Sequence, residues 1–206
     1  MNHYFTNEEN LKSNIHLLEI YIRDKRYLLY SDNGVFSKKG LDFGTKVLID
    51  ALPFNKITGD VLDVGCGYGP IGLCVKNETS SNVDMIDVNL RALHLSKMNA
   101  KKNNLDVNIF ESDAYSNVNK KYDYIFTNPP IRAGKKKLYE ILRGAYAYLK
   151  DNGEMWFVIR KNQGANSAIR DISDLYNVEL KSKVKDYFVL CATKKNKDVD
   201  NAWFVW

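Results

Sequence analysis

Two short stretches combine residue types that could bind and orient a ligand. The first, Asp63-Val64-Gly65-Cys66-Gly67-Tyr68-Gly69-Pro70-Ile71-Gly72, joins an apolar strand-like run to four glycines, after which a helical pattern begins. Glycines adopt positive φ and let backbone amides approach a ligand closely, while a proline suits the first helical turn. The second stretch, Asn128-Pro129-Pro130, follows another strand-like run. Consecutive prolines fix the backbone and lack N–H groups, so we expect a rigid pair of hydrogen-bond acceptors there.

The glycine-rich stretch fits two kinds of nucleotide cofactor. Gly67 to Gly72 satisfies the G-x-G-x-x-G pattern of dinucleotide sites, and Asp87 ends the next strand-like run at a suitable spacing. A carboxylate at such a strand end can accept hydrogen bonds from ribose hydroxyls. Asp63, two residues before the first glycine, favours the other cofactor, because the run from Asp63 to Gly69 resembles the first motif of class I S-adenosylmethionine methyltransferases. A NAD-binding oxidoreductase and an ordinary strand-to-helix turn remain the alternatives.

The proline-containing stretch matches the N-P-P signature of amino-methyltransferases, which act on exocyclic amines of adenine, cytosine or guanine, or on a glutamine side chain. The resemblance implies catalytic roles for Asn128, Pro129 and Pro130. In that role, the Asn128 side-chain oxygen and the Pro129 carbonyl each accept one N–H of the target amine. Many N-P-P enzymes place an aromatic residue at the fourth position, where this chain has Ile131, and this weakens the analogy with DNA-adenine enzymes.

A third stretch narrows the resemblance to one family. Gly34-Val35-Phe36-Ser37 and Asp42-Phe43-Gly44 precede an apolar-periodic run that begins at Val47. Together with the N-P-P segment they resemble the RsmC/YbxB family of small-domain 16S ribosomal RNA guanine methyltransferases, over about residues 15–193. The resemblance implies S-adenosyl-L-methionine as cofactor, guanine N2 as the methylated atom, and ribosomal RNA or the small ribosomal subunit as partner.

The same resemblance implies roles for individual residues. Phe36, with Ser37 and Gly44, would lie over the cofactor, and Asp113 with Ala114 would reach its adenine amino group. The predicted cofactor-binding residues are Phe36, Asp63, Gly65, Gly67, Gly69, Asp87, Asp113, Ala114 and Asn128. The predicted substrate-binding residues are Ile131, Arg132 and Lys135. No metal ligands are expected.

Basic residues flank the predicted target pocket. Arg132, Lys135, Lys136 and Lys137 place four positive charges within six positions, and Lys38 and Lys39 lie in the early loop. Such a cluster could contact the phosphates of RNA, and the alternative is a solvated start of a helix.

The elements that must position these residues alternate between strands and helices. This alternation predicts an α/β, Rossmann-like fold with a mostly parallel seven-stranded sheet, helices on both faces, and a β-hairpin before it. Strands are predicted at 61–64, 82–88, 107–110, 122–127 and 154–160, with an antiparallel pair at 178–182 and 185–193. Helices are predicted after Gly69, at 90–100 with Asn89 as N-cap, at 138–149 and at 165–175, and a turn at 151–153.

Composition places the chain among ordinary globular proteins. Its 206 residues predict a single domain, and the resemblance implies that it is a methyltransferase domain. We divide it into a lead-in (1–14), an N-terminal hairpin (15–31), a catalytic core (32–193) and a tail (194–206). Hydrophobic residues make up 45% and charged residues 27%, and no apolar run approaches the ~20 residues of a membrane span. We therefore expect a cytoplasmic protein with no membrane partner; the oligomeric state is left open.

Four competing functions follow from the same motifs. The N-P-P signature also serves methyltransferases of other base amines and of protein glutamine. The glycine pattern also serves oxidoreductases. A basic domain with net charge +5 could bind RNA without catalysis. The leading prediction is methylation of a guanine N2 amine in 16S ribosomal RNA.

Overall fold

The computed structural model describes residues 13–33, 35, 37 and 40–195. Most of the predicted lead-in, the predicted cofactor residue Phe36, the loop residues Gly34, Lys38 and Lys39, and the tail from residue 196 lie outside the described residues. Within the described part of the chain, no helix is long and apolar enough to cross a membrane.

The described chain begins with the predicted hairpin. Strands β1 (His16–Ile22) and β2 (Lys25–Ser31) form a two-stranded antiparallel sheet. Arg23 and Asp24 connect them with φ of 49° and 62°. Two consecutive positive φ values are typical of a type I′ turn, whose twist matches that of the flanking strands.

The large sheet has seven strands in the spatial order β5-β4-β3-β6-β7-β9-β8. The strands are β3 (Asp60–Val64), β4 (Asn82–Asp87), β5 (Asn108–Glu111), β6 (Tyr122–Thr127), β7 (Leu149–Arg160), β8 (Tyr176–Val184) and β9 (Tyr187–Lys194). Strands β5, β4, β3, β6 and β7 are mutually parallel, while β9 is antiparallel to both its neighbours. The predicted mostly parallel seven-stranded sheet and its closing antiparallel pair are therefore confirmed.

In the part of the chain that the structure describes, five α-helices cover the two faces of this sheet. They are α1 (Phe43–Ala51), α2 (Pro70–Glu78), α3 (Leu90–Lys102), α4 (Lys135–Tyr148) and α5 (Ala165–Ile172). An apolar cluster lies on each face: one includes residues of α1, α2, α3 and the hairpin, and the other lies under α4 and α5. The strand β3 contributes to both, since Val61 belongs to the first cluster and Leu62 to the second. Two helices begin as the sequence indicates: the Asn89 side chain accepts hydrogen bonds at the start of α3, and Pro70 lies in the first turn of α2.

The boundaries of some elements differ from the prediction. The predicted turn at 151–153 is an irregularity inside β7, where Leu149 pairs with Tyr122 but Glu154 already pairs with Tyr124. The helix α4 begins at Lys135 rather than at 138. The prediction placed the start too late because the first turn is lysine-rich and the apolar periodicity starts only at Leu138. The helix α5 ends at residue 172, three residues before the predicted end.

Two asparagines on α3 attach the hairpin to the large sheet. The Asn99 side chain accepts from Tyr30 N and donates to Tyr30 O and Tyr68 O, at 2.6, 3.0 and 2.8 Å. One helical turn later, Asn103 makes the same paired contact with Leu28 N and O. The amide side chains thus take the place of a neighbouring strand along one edge of β2, and Asn99 also reaches the loop after β3.

Candidate active site

The two predicted motifs follow neighbouring strands at the same edge of the sheet. The glycine-rich loop follows β3 and the N-P-P segment follows β6, and these two strands pair directly. The chain order reverses here, since β4 lies on one side of β3 and β6 on the other. Ligands of open α/β sheets bind at the carboxyl ends of the strands around such a reversal. The Thr127 hydroxyl donates to Val64 O at 2.9 Å and fixes the two strand ends against each other.

The glycine-rich loop has an open side, at Gly65 and Gly67, that no described protein atom covers. Gly65 N and Cys66 N both donate to Ile86 O at 2.9 Å, which fixes the loop to the end of β4. Gly65 and Gly67 have φ of 71° and 58°, and a Cβ built on either would meet no atom within 4 Å. This is the arrangement expected where a ligand lies against the backbone.

The third glycine of the motif has a different environment. Gly69 is the N-cap of α2 with φ of 101°, and a Cβ there would lie 2.9 Å from Met85 Cε. The next glycine, Gly72, approaches the same methionine even more closely, at 2.7 Å from Met85 Cγ. The structure therefore explains Gly69 and Gly72 by close packing of α2 on β4, and the predicted cofactor contact of Gly69 stays a prediction.

Asp87 lies at the predicted position beside the open side of the loop. Its Oδ2 accepts from Gly67 N and its Oδ1 from Asn89 N, both at 2.8 Å. Burial raises the pKa of Asp87, although the hydrogen bonds from Asn89 and Gly67 favour the ionised carboxylate. Each oxygen retains a second acceptor site, so the carboxylate can still accept from ribose hydroxyls.

Asp63 is fully buried at the end of β3. Its Oδ2 accepts from Gly72 N at 2.9 Å, while its Oδ1 has no hydrogen-bond partner among the described residues. Burial, and to a smaller extent the charge of Asp87, raise the pKa of Asp63 to about 7. Asp63 thus joins β3 to α2, with one orphan oxygen next to the glycine-rich loop.

The turn after β5 contains the predicted adenine contacts Asp113 and Ala114. Asp113 is exposed and forms an ion pair with Lys137 on α4, which also binds Glu140. Ala114 is buried with a positive φ of 47°, and the Ser112 hydroxyl donates to its carbonyl at 2.8 Å. Lys137 is thus half-buried and already paired with two carboxylates, and its predicted contact with RNA phosphates stays a prediction.

Asn128 is held by two acceptors that sequence analysis did not identify. Its Nδ2 donates to Asp42 Oδ2 and to Thr45 Oγ1, both at 2.9 Å. A carboxylate only accepts hydrogen bonds, so the amide nitrogen must face Asp42. The Asn128 Oδ1 consequently points away, and it accepts no hydrogen bond from any described residue.

The residues after Asn128 adopt a short 3-10 turn at Ile131–Ala133. Pro130 O accepts from Ala133 N at 2.9 Å, whereas no described backbone N–H donates to Pro129 O. Among the described residues, nothing donates to Asn128 Oδ1 or Pro129 O, whereas Pro130 O already accepts one hydrogen bond. The roles of Asn128 and the two prolines as acceptors for the target amine stay predictions.

The predicted substrate residues have unequal exposure. Ile131 is half-buried against the cluster under α4 and α5, and Arg132 and Lys135 are exposed. Lys135, Lys136 and Lys137 occupy the first turn of α4, which contains no acidic residue. The exposed charges of Lys135 and Lys136 add to the positive end of the helix dipole, which favours an anionic ligand at this turn.

Sequence analysis missed the contacts between the first helix and the N-P-P segment. Asp42 and Thr45 lie 86 and 83 residues before Asn128, so no local pattern could have paired them with it. The one available signal was the N-cap preference for Asp, which could have placed the start of α1 at Asp42.

The sequence matches a protein-family model and relatives in two bacteria. The sequence profile described as methyltransferase small domain matches residues 26–191. The uncharacterized protein YbxB of Bacillus subtilis (strain 168) is 44% identical over 197 residues, which is 93% of this chain and 98% of YbxB. The ribosomal RNA small subunit methyltransferase C of Haemophilus influenzae (strain Rd) is 35% identical over 174 residues, 82% of this chain. This chain spans about half the length of that relative, 49%.

Solved structures share the fold. The Thermus thermophilus 16S rRNA N2 G1207 methyltransferase RsmC, solved with AdoMet and guanosine, superimposes with a TM-score of 0.77 at 23% identity, covering 90% of this chain and 52% of that one. The ribosomal protein L11 methylase of Lactobacillus delbrueckii gives 0.64 at 19% identity, covering 78% and 89%. The predicted Rossmann-like methyltransferase fold is thus confirmed, and the chain belongs to the methyltransferase small domain family.

Proposed function

We propose that this protein transfers a methyl group from S-adenosyl-L-methionine to the exocyclic N2 amine of a guanine in 16S ribosomal RNA. The observation that carries the proposal is Asn128, whose amide nitrogen is held by Asp42 and Thr45 while its oxygen remains an available acceptor beside the glycine-rich loop. The relatives named ribosomal RNA small subunit methyltransferase C support the substrate class. Because the substrate would be ribosomal RNA, we place its action in the cytoplasm.

The residues present fit the proposed cofactor. Gly65 and Gly67 leave a cradle that a Cβ would fill, and Asp87 retains acceptor sites for hydroxyls. Asp63, two residues before Gly65, has a buried Oδ1 with no partner among the described residues. S-adenosylmethionine supplies a methyl group on a positively charged sulfur, which is the electrophile of the reaction. The chain itself has to bind, orient and exclude water around the reacting atoms.

The two acceptors, Asn128 Oδ1 and Pro129 O, would compensate for the low nucleophilicity of the guanine N2 amine. The lone pair of a guanine N2 amine is delocalised into the ring, which makes the nitrogen a poor nucleophile. Two fixed acceptors, Asn128 Oδ1 and Pro129 O, would each bind one N–H and hold the nitrogen with its remaining face toward the methyl donor. Acceptors that are already oriented stabilise the transition state without reorganisation.

Three exposed cations support a nucleic-acid substrate. Arg132, Lys135 and Lys136 follow the N-P-P segment directly, and none forms an ion pair with a described residue. The half-buried Ile131 lies between them and Pro130. We propose that these cations contact phosphates near the methylated base, which must leave its stack to enter the pocket.

The test is transfer of tritiated methyl groups to small ribosomal subunits from cells that lack this protein, followed by identification of the labelled nucleoside. We expect N2-methylguanosine with the wild-type protein. Asn128→Ala should lower kcat by about a hundredfold or more, as for loss of a preorganised polar group, while calorimetry should show a smaller loss of S-adenosylmethionine affinity. Label in adenosine, cytidine or a protein glutamine, or calorimetric binding of NAD in place of S-adenosylmethionine, would contradict the proposal.

A further inference from the structure

The strongest unassigned feature is the contact between the start of α1 and the N-P-P segment. We propose that Asp42, together with Thr45, is a positioning residue that fixes the orientation of the Asn128 amide during methyl transfer. This inference rests on the proposed function, and it gives Asp42 a role that acts only through Asn128.

The hydrogen-bond pattern defines one orientation of the amide. Both hydrogens of Asn128 Nδ2 are used, one by Asp42 Oδ2 and one by Thr45 Oγ1, each at 2.9 Å. Rotating the amide by half a turn would place Asn128 Oδ1 against the Asp42 carboxylate, where two acceptors repel each other. The carboxylate therefore selects the orientation in which the oxygen is available to the target amine.

Asp42 is itself fixed by the local fold. Its Oδ2 also accepts from Thr45 N at 2.9 Å, which makes Asp42 the N-cap of α1. A Cβ on Gly44 would lie 2.9 Å from Tyr187 Cε1 and 3.0 Å from Asp42 Oδ2, so only glycine allows the Tyr187 ring to pack this closely. The Tyr187 ring also meets the Phe43 ring edge-on, with centroids 5.3 Å apart.

The second acceptor of the Asn128 amide, Thr45 Oγ1, belongs to a buried residue. The Thr45 side chain is only 4% exposed. Water therefore has little access to Thr45 and is a poor replacement for its hydroxyl as an acceptor, whereas Asp42 and Asn128 are half-buried. Without the acceptors of Asp42 and Thr45, the Asn128 side-chain amide could rotate, and Oδ1 would no longer be held in one orientation.

The test uses substitutions that separate orientation from capping. Asp42→Ser keeps a good capping oxygen, but a hydroxyl can donate as well as accept, so it no longer selects one orientation of the Asn128 amide. Thr45→Val removes the second acceptor at nearly constant volume. Asp42→Asn is the conservative variant, since its amide oxygen can occupy the position of Oδ2. Asp50→Ser removes an exposed carboxylate from the same helix and serves as the matched control.

We expect Asp42→Ser to lower kcat by about ten- to a hundredfold, the range for a misplaced catalytic group. The dissociation constant for S-adenosylmethionine should stay within about twofold of the wild type. Asp42→Asn should recover most of the lost rate, and Asp50→Ser should match the wild type. An Asp42→Ser enzyme with wild-type kcat would overturn the positioning role.

A double-mutant cycle distinguishes positioning from a general effect on α1. In the Asn128→Ala background, Asp42→Ser should change kcat by less than about twofold, since residues that act as a unit are not additive. An equal loss in both backgrounds would show that Asp42 acts through the helix and not through Asn128.

A readout independent of activity is the NMR signal of the Asn128 side-chain amide. In the wild type both amide hydrogens should be protected from exchange with solvent, and Asp42→Ser should remove that protection. If the protein methylates no guanine but the protection is lost as expected, the proposed function fails while the geometry stands. If the hydrogens exchange freely in the wild type, the positioning role fails whatever the activity.

Discussion

At the scale of single residues, Asp63 is a buried acid with an incomplete set of hydrogen bonds. Its Oδ2 accepts from Gly72 N, and its Oδ1 has no partner among the described residues. Burial raises its pKa from 3.8 to about 7. A folded protein that holds this proton more tightly than the unfolded chain loses stability as the pH rises, because the unfolded chain releases the proton first.

We predict that Asp63→Asn removes this part of the pH dependence. The contribution of Asp63 is fully present below about pH 4 and disappears as the pH rises to about 7, so the wild type should lose up to a few kcal/mol relative to the variant over that range. Urea unfolding of both proteins from pH 4 to pH 8 gives the free energies of unfolding. Parallel curves would show that Asp63 does not titrate in this range.

Gly65 tests whether the open side of the glycine-rich loop binds the cofactor. Gly65→Ala adds a methyl group where no atom lies within 4 Å, at a φ of 71°. The backbone strain should cost about 1–2 kcal/mol, and the methyl group should raise the dissociation constant for S-adenosylmethionine by about tenfold or more, since tenfold is 1.4 kcal/mol. Thermal unfolding and calorimetry measure the two effects.

Gly164→Ala is the matched control for this substitution. Gly164 has a φ of 98° and equally open surroundings, but it precedes α5. We expect a similar loss of stability with unchanged cofactor binding. Equal loss of affinity in the two variants would argue against a cofactor contact at Gly65.

At the scale of elements, the hairpin and the glycine-rich loop are connected through one side chain. Asn99 on α3 binds the backbone of Tyr30 in β2 and, through the same amide, the carbonyl of Tyr68 in the loop. The Tyr68 hydroxyl in turn donates to Gly40 O at 3.1 Å, in the segment before α1. The early loop that the resemblance places over the cofactor is therefore tied to the glycine-rich loop, although Phe36 itself lies outside the described residues.

Two asparagines one turn apart allow these connections to be separated. We predict that Asn99→Ala and Asn103→Ala both weaken the hairpin by about 1–3 kcal/mol, because buried backbone groups of β2 lose their partners. Only Asn99→Ala should also weaken S-adenosylmethionine binding, since Asn103 does not contact the loop. Hydrogen exchange of β2 amides and calorimetry provide the two measurements. Reduced cofactor binding in both variants would contradict the separate roles.

The elements that sequence analysis predicted well are those with local signals. The glycine-rich loop, the N-cap Asn89 and the antiparallel pair β8 and β9 are each encoded within a few neighbouring residues. The turn predicted at 151–153 failed because tertiary pairing kept the chain in β7 despite Asp-Asn-Gly. The hydrogen bonds from Asn128 to Asp42 and Thr45 could not be predicted, since they join residues that only the folded chain brings together.

At the scale of the whole molecule, the hairpin and the large sheet share one apolar cluster. Tyr27 and Leu29 of β2 belong to the same buried cluster as Val61 of β3. This shared core supports the proposal that hairpin and catalytic core form one domain. The net charge of +5 is modest, so its distribution matters more than its sum for nucleic-acid binding.

We predict that RNA binding depends on the cations beside the N-P-P segment. Replacing Arg132, Lys135 and Lys136 by Ser should weaken binding to small-subunit RNA and make the salt dependence shallower, by about 0.7 in the log–log slope for each lost contact with single-stranded RNA. Filter binding between low and high salt measures both quantities.

Three other exposed lysines provide the charge-matched control. Lys97, Lys101 and Lys102 are exposed on α3, a different helix from the one that follows the N-P-P segment. Their replacement by Ser removes the same charge and should leave the salt dependence almost unchanged. Equal effects of the two triple variants would indicate a diffuse electrostatic attraction without a defined binding face.

The close packing of Tyr187 on the start of α1 has a consequence for biosynthesis. Tyr187 begins β9, which inserts between β7 and β8, so α1 lacks this support until β9 has been translated and has joined the sheet. A nascent chain that has emerged only as far as β8 lacks the Tyr187 ring that packs on Phe43 and Gly44, next to the N-cap Asp42. We therefore expect the polypeptide to become competent for methyl transfer only late in its own synthesis.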